Sequence, residues 1–362
     1  MKELMPLIQK QEQEQGKSIF SQYQKLNIPL ATCDDRLLWE TWMSMFHFPT
    51  LTVADELGLF SFLDKRPNTA SDIAKSFSLG DRATEAILGV MTSLGYLVQQ
   101  DGKFNLTEAS RNFLLPESPY YWGGMLKLMA NNPLSHSTLL EALKNDKSSV
   151  YKEQDVWETH EVEPEKAKLF TSAMQSMTMP GAAGAAKHGD FTDVKRLLDV
   201  GGGSAAVSVA LAKRYPNMHC TILDLPVVCS IAEEYISQAE LSHQIDTYEG
   251  NFFTQPFPNG YDAILFSNIF HDWTWEKCLH LAKQSFEALP KGGRIYLHEV
   301  LLSDTKDTPL VATSYSMCMV WWTQGKQFTA GELTKLLLGV GFEDVSVTPT
   351  HSYYSLIYAV KP

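Results

Sequence analysis

Two side chains have the types and the setting for proton-transfer chemistry. His271 lies in the run "FSNIFHDWTWEKC", directly after an apolar stretch, and Glu299 ends the next apolar stretch, "RIYLHEV". A positioned imidazole with a pKa near working pH can take a proton as an oxygen attacks an electrophilic carbon, an effect of about 10²–10⁴-fold. A carboxylate on its second ring nitrogen fixes the tautomer and stabilises the imidazolium. The plain alternative is a loop histidine beside a helix start, with Asp272 as the N-cap. His298 alternates with Glu299 along its strand, faces the other way, and reads as structural.

A second constellation lies upstream. In "LLDVGGGSAAVSVAL" (197–211) an apolar strand runs into Gly201-Gly202-Gly203 and then a helix. Glycines there permit a tight turn and the close approach of a ligand to the backbone. Asp199, near the strand end, can meet a cationic or hydrogen-bonding ligand group. Asp224, in "TILDLP", ends the following strand, where an acid grips both ribose hydroxyls of an adenosine ligand. Gly201, Gly203 and Ala206 fit a dinucleotide loop as well as an S-adenosylmethionine loop. In "EGNFF" (249–253), Asn251 can reach the exocyclic amine of an adenine and Phe252 can pack on its ring; Trp273 either flanks the adenine or packs in the core.

These residues need a scaffold that brings strand ends together. From residue 195 onward strands and helices alternate, with strands at 195–200, 218–224, 243–250, 261–270 and 292–302. Continuous apolar strands separated by helices imply a parallel sheet covered on both faces, with ligands in the crevice at the carboxyl ends. The last two strands, "FEDVSVTPT" and "YYSLIYAVK", are too close for a crossover helix and must pair antiparallel. A seven-stranded sheet ending this way suits a methyltransferase better than the second mononucleotide half of a nicotinamide fold.

Upstream the chain reads helical. Helical spacing with a turn near 79–81, followed by "VQQDGKFNLT" as a hairpin, gives a winged-helix pattern within about 36–118. DNA binding is disfavoured. Nine acidic residues oppose six basic ones between 51 and 117, and the net charge of the chain is −12. A packing or dimerisation module is the better reading. Residues 119–189 are helical and rich in Met and aromatic side chains, including Trp157, which fill a core or line a pocket. The small-residue segment "PGAAGAAKHGD" (180–190) reads as a flexible connection, so the domains are expected at 1–189 and 190–362.

No apolar run approaches the length of a membrane helix, about 18 residues. The polar N-terminal stretch carries no secretory signal. Cys33, Cys220, Cys229, Cys278 and Cys318 are odd in number and include no CxxC pair. That excludes a disulfide framework and common zinc sites, implies no metal, and fits a reducing cytoplasm.

The segments "LLDVGGG", "DLPVV", "GNFF", "FHDW", "LPKGGRIYLHEVLL" and "QGKQFT" resemble the plant-type and acetylserotonin-type small-molecule O-methyltransferases, over nearly the whole chain. The resemblance implies a Rossmann-like class I methyltransferase sheet behind a mostly helical winged-helix domain, and a homodimer formed through that domain. It implies S-adenosylmethionine held by Gly201, Gly203, Asp224, Asn251 and Phe252, with Asp199, Leu225, Ser267 and Trp273 counted in the same site. It makes His271 the base, flanked by Glu299 and Gln327, and places Met129, His160, Phe170, Met174, Met177, Cys318 and Trp322 around a hydroxylated acceptor. Three departures stand out. Ala205 replaces a loop glycine, tolerable if its backbone is not left-handed. Asn251 replaces an acid at the adenine edge. Gln327 replaces a glutamate, which can hydrogen-bond His271 but supports its cation less well. Relatives of this architecture that use the cofactor without methylating, a nicotinamide oxidoreductase, and a DNA regulator are the competing readings.

Overall fold

A computed structural model describes residues 31–150 and 163–362. The chain divides into two compact units, Met1–Leu51 and Thr52–Pro362. In the described part of the first, the helix Arg36–Met43 carries exposed Leu37, Leu38, Trp39 and Trp42.

The second unit opens with the helices Leu59–Lys65, Ala70–Phe77 and Asp81–Ser93. Thr69 caps the second of these by accepting from the Asp72 N–H. A small sheet accompanies them, built from β1 (Asn68–Thr69), β2 (Leu97–Gln100) and β3 (Lys103–Leu106) in the order β1-β3-β2. Asp101 and Gly102 turn the β2–β3 hairpin with φ of 51° and 73°, as the Asp-Gly pair predicts.

The large sheet holds β4 (Arg196–Val200), β5 (His219–Asp224), β6 (Ile245–Glu249), β7 (Ala263–Ser267), β8 (Arg294–Val300), β9 (Glu343–His351) and β10 (Tyr354–Val360). Its order is β6-β5-β4-β7-β8-β10-β9. The first five strands are parallel, and β10 pairs antiparallel with both β8 and β9. The alternating side chains of each strand separate into two cores. Leu198, Val200, Ile264, Phe266, Ile295 and Leu297 pack on one face, against the helices Trp275–Ala288 and Ala330–Val340. Leu197, Cys220, Ile222, Ala263, Leu265 and Tyr296 pack on the other, against the helix Ala206–Arg214.

Segment 180–190 is not a flexible connection. It is helical through His188, as the buried end of the 25-residue helix Pro164–His188. Pro180, Gly181, Ala182, Gly184, Ala185 and Ala186 are all buried. Their small size lets the helix lie close on the sheet: a Cβ on Gly184 would stand 2.6 Å from His351 Cβ and 2.7 Å from the Thr350 carbonyl oxygen. One further difference concerns the site. The N-cap of the helix Trp275–Ala288 is Thr274, which accepts from the Lys277 N–H, and not Asp272. The helix Leu310–Trp322 carries no single apolar stripe in the sequence, because buried side chains leave it in several directions. No helix among the described residues is long and apolar enough to cross a membrane.

Gly184→Val forces a side chain into occupied space and is expected to destabilise the protein by about 1–3 kcal/mol. Denaturant unfolding checks this, and unchanged stability would contradict the close helix–sheet contact.

Candidate active site

The glycine loop is built by backbone geometry. Gly201 and Gly203 have φ of 70° and 57°, the left-handed region that glycine enters without a Cβ penalty. The Gly201 N–H donates to the Leu223 carbonyl at 2.8 Å, and the Gly203 N–H to Asp224 Oδ2 at 3.0 Å. The other Asp224 oxygen accepts from the Leu225 N–H at 2.8 Å. A Cβ on Gly201 would lie 2.5 Å from Ile269 Cδ1 and 3.6 Å from Phe252 Cε1, so the loop, the end of β7 and Phe252 converge.

Two carboxylates are buried here. Asp199 is 1% exposed and accepts from Ser208 Oγ at 2.7 Å. Burial raises its pKa to about 7, with Asp224 adding to the effect. Burial also raises Asp224 to about 6, against the two backbone N–H groups that lower it. A buried acid pair of this kind favours a ligand carrying positive charge.

The remaining residues expected at the adenine are placed less uniformly. Asn251 is exposed, and its Oδ1 accepts from the Phe253 N–H at 2.9 Å within its own turn. Phe252 is half-buried and meets Trp273 edge-on at 6.4 Å. Trp273 is a core residue: its ring lies 4.6 Å from Phe253, and Lys277 Nζ sits 4.2 Å above it. Leu225 is buried at the start of its helix, and Ser267 Oγ lies 3.1 Å from His298 Nδ1. Ala205 has φ 64° and ψ 18°, so the condition for tolerating its methyl group fails; it sits in left-handed backbone.

His271 follows β7 on a single 3-10 turn, Phe270–Asp272. Its Nδ1 lies 2.7 Å from Glu299 Oε2. The other oxygen, Oε1, accepts from the Ile269 and Phe270 N–H groups at 3.1 and 2.9 Å. One carboxylate therefore anchors the turn and meets the imidazole that the turn carries. Asp272 Oδ1 lies 3.7 Å from Nε2, and the Tyr315 ring meets the imidazole at 5.2 Å. Burial pushes the His271 pKa down, but Glu299 and Asp272 outweigh it and raise it to about 9. The imidazole is therefore more basic than sequence reasoning expects. His298, bonded between Ser267 and Thr350 and fully buried, is driven down to about 3 and stays neutral, a structural role.

Gln327 does not hydrogen-bond His271. Its side chain is 0% exposed and neither amide atom has a hydrogen-bond partner. Its segment packs on backbone instead: a Cβ on Gly325 would stand 2.0 Å from the His271 carbonyl oxygen.

Met129, Phe170, Met174, Cys318 and Trp322 gather in one apolar cluster with Leu128, Ala173 and Trp321. Met177 Sδ is 4.0 Å from Tyr315 Oη, which places it near His271. His160 and Trp157 lie outside the described residues. Sequence reasoning missed Asp272 as a partner of the imidazole and Tyr315 as its neighbour. The acid immediately after His271 was the available signal for the first; nothing in the sequence marked the second.

A family model described as an O-methyltransferase domain matches residues 136–343. The chain is 32% identical over 312 residues to a 3-hydroxy-5-methyl-1-naphthoate 3-O-methyltransferase of Streptomyces sahachiroi, spanning 85% of this chain and 87% of that one. It is 28% identical over 278 residues to an L-tyrosine C(3)-methyltransferase of Streptomyces lavendulae, spanning 73% and 74%. Its structure is similar to that of human N-acetylserotonin methyltransferase in complex with SAM, with a TM-score of 0.80 and 26% identity, covering 92% of this chain and 99% of that one.

Ala205→Gly removes left-handed strain worth about 1–2 kcal/mol and restores part of that as unfolded-chain freedom. A net stabilisation of up to about 1 kcal/mol is expected in thermal unfolding. A lower midpoint would contradict the assigned backbone conformation.

Proposed function

The chain belongs to the O-methyltransferase domain family and has the Rossmann-like sheet of class I S-adenosylmethionine-dependent methyltransferases, and on that premise we propose that His271 is the general base of a methyl transfer to a hydroxyl of a small aromatic acceptor. The observation that carries this reading is the buried contact of 2.7 Å between His271 Nδ1 and Glu299 Oε2, at the carboxyl ends of β7 and β8. When bound, S-adenosylmethionine supplies an electrophilic methyl group on a positively charged sulfur, which the acceptor oxygen displaces.

The chain's own residues do the rest. The backbone of Gly201 and Gly203 leaves room for the ligand, Asp224 faces ribose hydroxyls, and Asp199 favours the cationic part. Asn251 and Phe252 border the adenine, while Leu225, Ser267 and Trp273 support the walls. With Nδ1 committed to Glu299, Nε2 of His271 is the nitrogen that accepts the hydroxyl proton. Glu299 then stabilises the imidazolium formed. A pKa of about 9 lies close to that of a phenol, about 10, so the transfer is nearly balanced. The imidazole is consequently mostly protonated at neutral pH, and the active form grows as pH rises. Met129, Phe170, Met174, Met177, Cys318 and Trp322, with His160, form the acceptor side; their apolar surfaces suit a flat ring.

The same reading assigns cofactor binding to 190–362 and acceptor lining to helices within 1–189. It gives region 36–118 a homodimerisation role, supported by the exposed Leu37, Leu38, Trp39 and Trp42. Five unpaired cysteines fit a cytoplasmic location.

His271→Ala is expected to lower transfer of a labelled methyl group at least about a hundredfold while S-adenosylhomocysteine binding survives. Unchanged turnover would remove His271 from the chemistry. The kcat/KM profile should rise with pH toward about 9 and shift to lower pH in Glu299→Gln, since losing the carboxylate disfavours the imidazolium. A profile unmoved by that substitution would contradict the pairing.

A further inference from the structure

Glu299 holds the His271 imidazole at one ring atom. The contact of 2.7 Å fixes Nδ1, while Asp272 Oδ1, at 3.7 Å from Nε2, stands farther off than a hydrogen bond. A ring held at one atom can still swing about that contact. The direction of Nε2 therefore needs a second constraint, because a reacting group displaced by about 1 Å can lose about 10²-fold in rate.

Tyr315 supplies a contact of the right kind. Its ring lies 5.2 Å from the imidazole, centroid to centroid, with the two planes at 62°, the tilted arrangement that aromatic pairs prefer. The element that carries Tyr315 is itself seated on the turn that carries His271. Just beyond the helix Leu310–Trp322, the Gln324 N–H donates to the Asp272 carbonyl at 3.2 Å, and Lys277 Nζ donates to Gln324 Oε1 at 3.0 Å. Gly325 follows, so close to the His271 carbonyl that no side chain fits there. Tyr315 also packs against the cluster of Val300, Leu302, Ala312 and Tyr354, and Val300 directly follows Glu299 on β8. The helix of Tyr315 and its exit thus meet both segments that supply the His271–Glu299 pair.

The phenol is not a second base. Burial, with Tyr354, Asp272, Cys318 and Glu299 adding to it, holds its pKa well above the ordinary value, so it stays neutral. Its Oη lies 4.0 Å from Met177 Sδ, a weak acceptor. What the position uses is the flat, stiff ring. We propose that Tyr315 is a positioning residue whose ring holds the His271 imidazole in the plane that directs Nε2 at the acceptor hydroxyl. This rests on the reading of His271 as the base, but confinement of the ring is measured without turnover, so either can fail while the other stands.

The test is hydrogen exchange of the His271 Nδ1 proton. It is read by NMR on full-length protein, isotope-labelled at histidine and phenylalanine and bound to S-adenosylhomocysteine, with His271→Ala assigning the signal. Tyr315→Leu and Tyr315→Met replace the plane with branched or flexible bulk, and each should speed exchange about five- to tenfold, as loss of an aromatic pair contact does. Tyr315→Phe keeps the ring and should stay within about twofold of the parent. The Phe270 N–H, held by the same carboxylate, should exchange at the parent rate in all three, because the turn itself is not loosened. Parent-like exchange of Nδ1–H in Tyr315→Leu and Tyr315→Met would mean that Glu299 alone holds the ring. Equal acceleration at the Phe270 N–H would mean that Tyr315 merely supports the fold. Either result, or fast exchange in Tyr315→Phe, would overturn the proposal.

Discussion

A buried carboxylate is stable only if its charge is met on every side. Glu299 meets that condition through one turn. Oε1 takes the N–H groups of Ile269 and Phe270, and Oε2 lies against the imidazole of His271. Each partner therefore constrains the others. The turn cannot relax without leaving a charge unpaired, and the imidazole cannot rotate away without the same penalty. The raised pKa of His271 follows directly, because two carboxylates outweigh its burial. Its contribution to stability is full below the unfolded value of about 6.5 and is lost as pH rises through about 9.

The glycine loop uses the opposite logic. Burial raises the pKa of both Asp199 and Asp224, a penalty on their charge that a cationic ligand would relieve. The helix Pro164–His188 also meets this loop. Gln175, between Met174 and Met177 on Pro164–His188, has its Oε1 2.5 Å from Ser204 Oγ in the glycine loop. Thr178 on the same helix reaches Asn268. One helix thus touches the segments that follow both β4 and β7.

Much of this was legible in the sequence because of the parallel sheet. Strands buried on both faces read as continuous apolar runs, and consecutive parallel strands bring their carboxyl ends to one edge. That argument places His271 beside Glu299 and Asp224 beside the glycine loop. Other features were hidden for physical reasons. The composition of 180–190 reads as a flexible loop, yet small residues are also what a helix needs to lie against a sheet. Asp272 looks like an N-cap, but Thr274 takes that role, and Asp272 Oδ1 lies 3.7 Å from His271 Nε2. The left-handed backbone of Ala205 and the unpaired amide of Gln327 depend on tertiary placement, which no local pattern encodes. Tyr315 lies on the helix Leu310–Trp322, where Thr313, Ser314 and Ser316 interrupt the apolar residues, so no single stripe pointed to it.

The central claim is that Glu299 sets the basicity of His271. An NMR titration of the His271 ring nitrogens in the parent and in Glu299→Gln tests it most directly. The pairing predicts an imidazole that titrates near pH 9 in the parent and falls below the ordinary histidine value of about 6.5 once burial acts against the smaller remaining charge. A ring that titrates at the same pH in both proteins would contradict it.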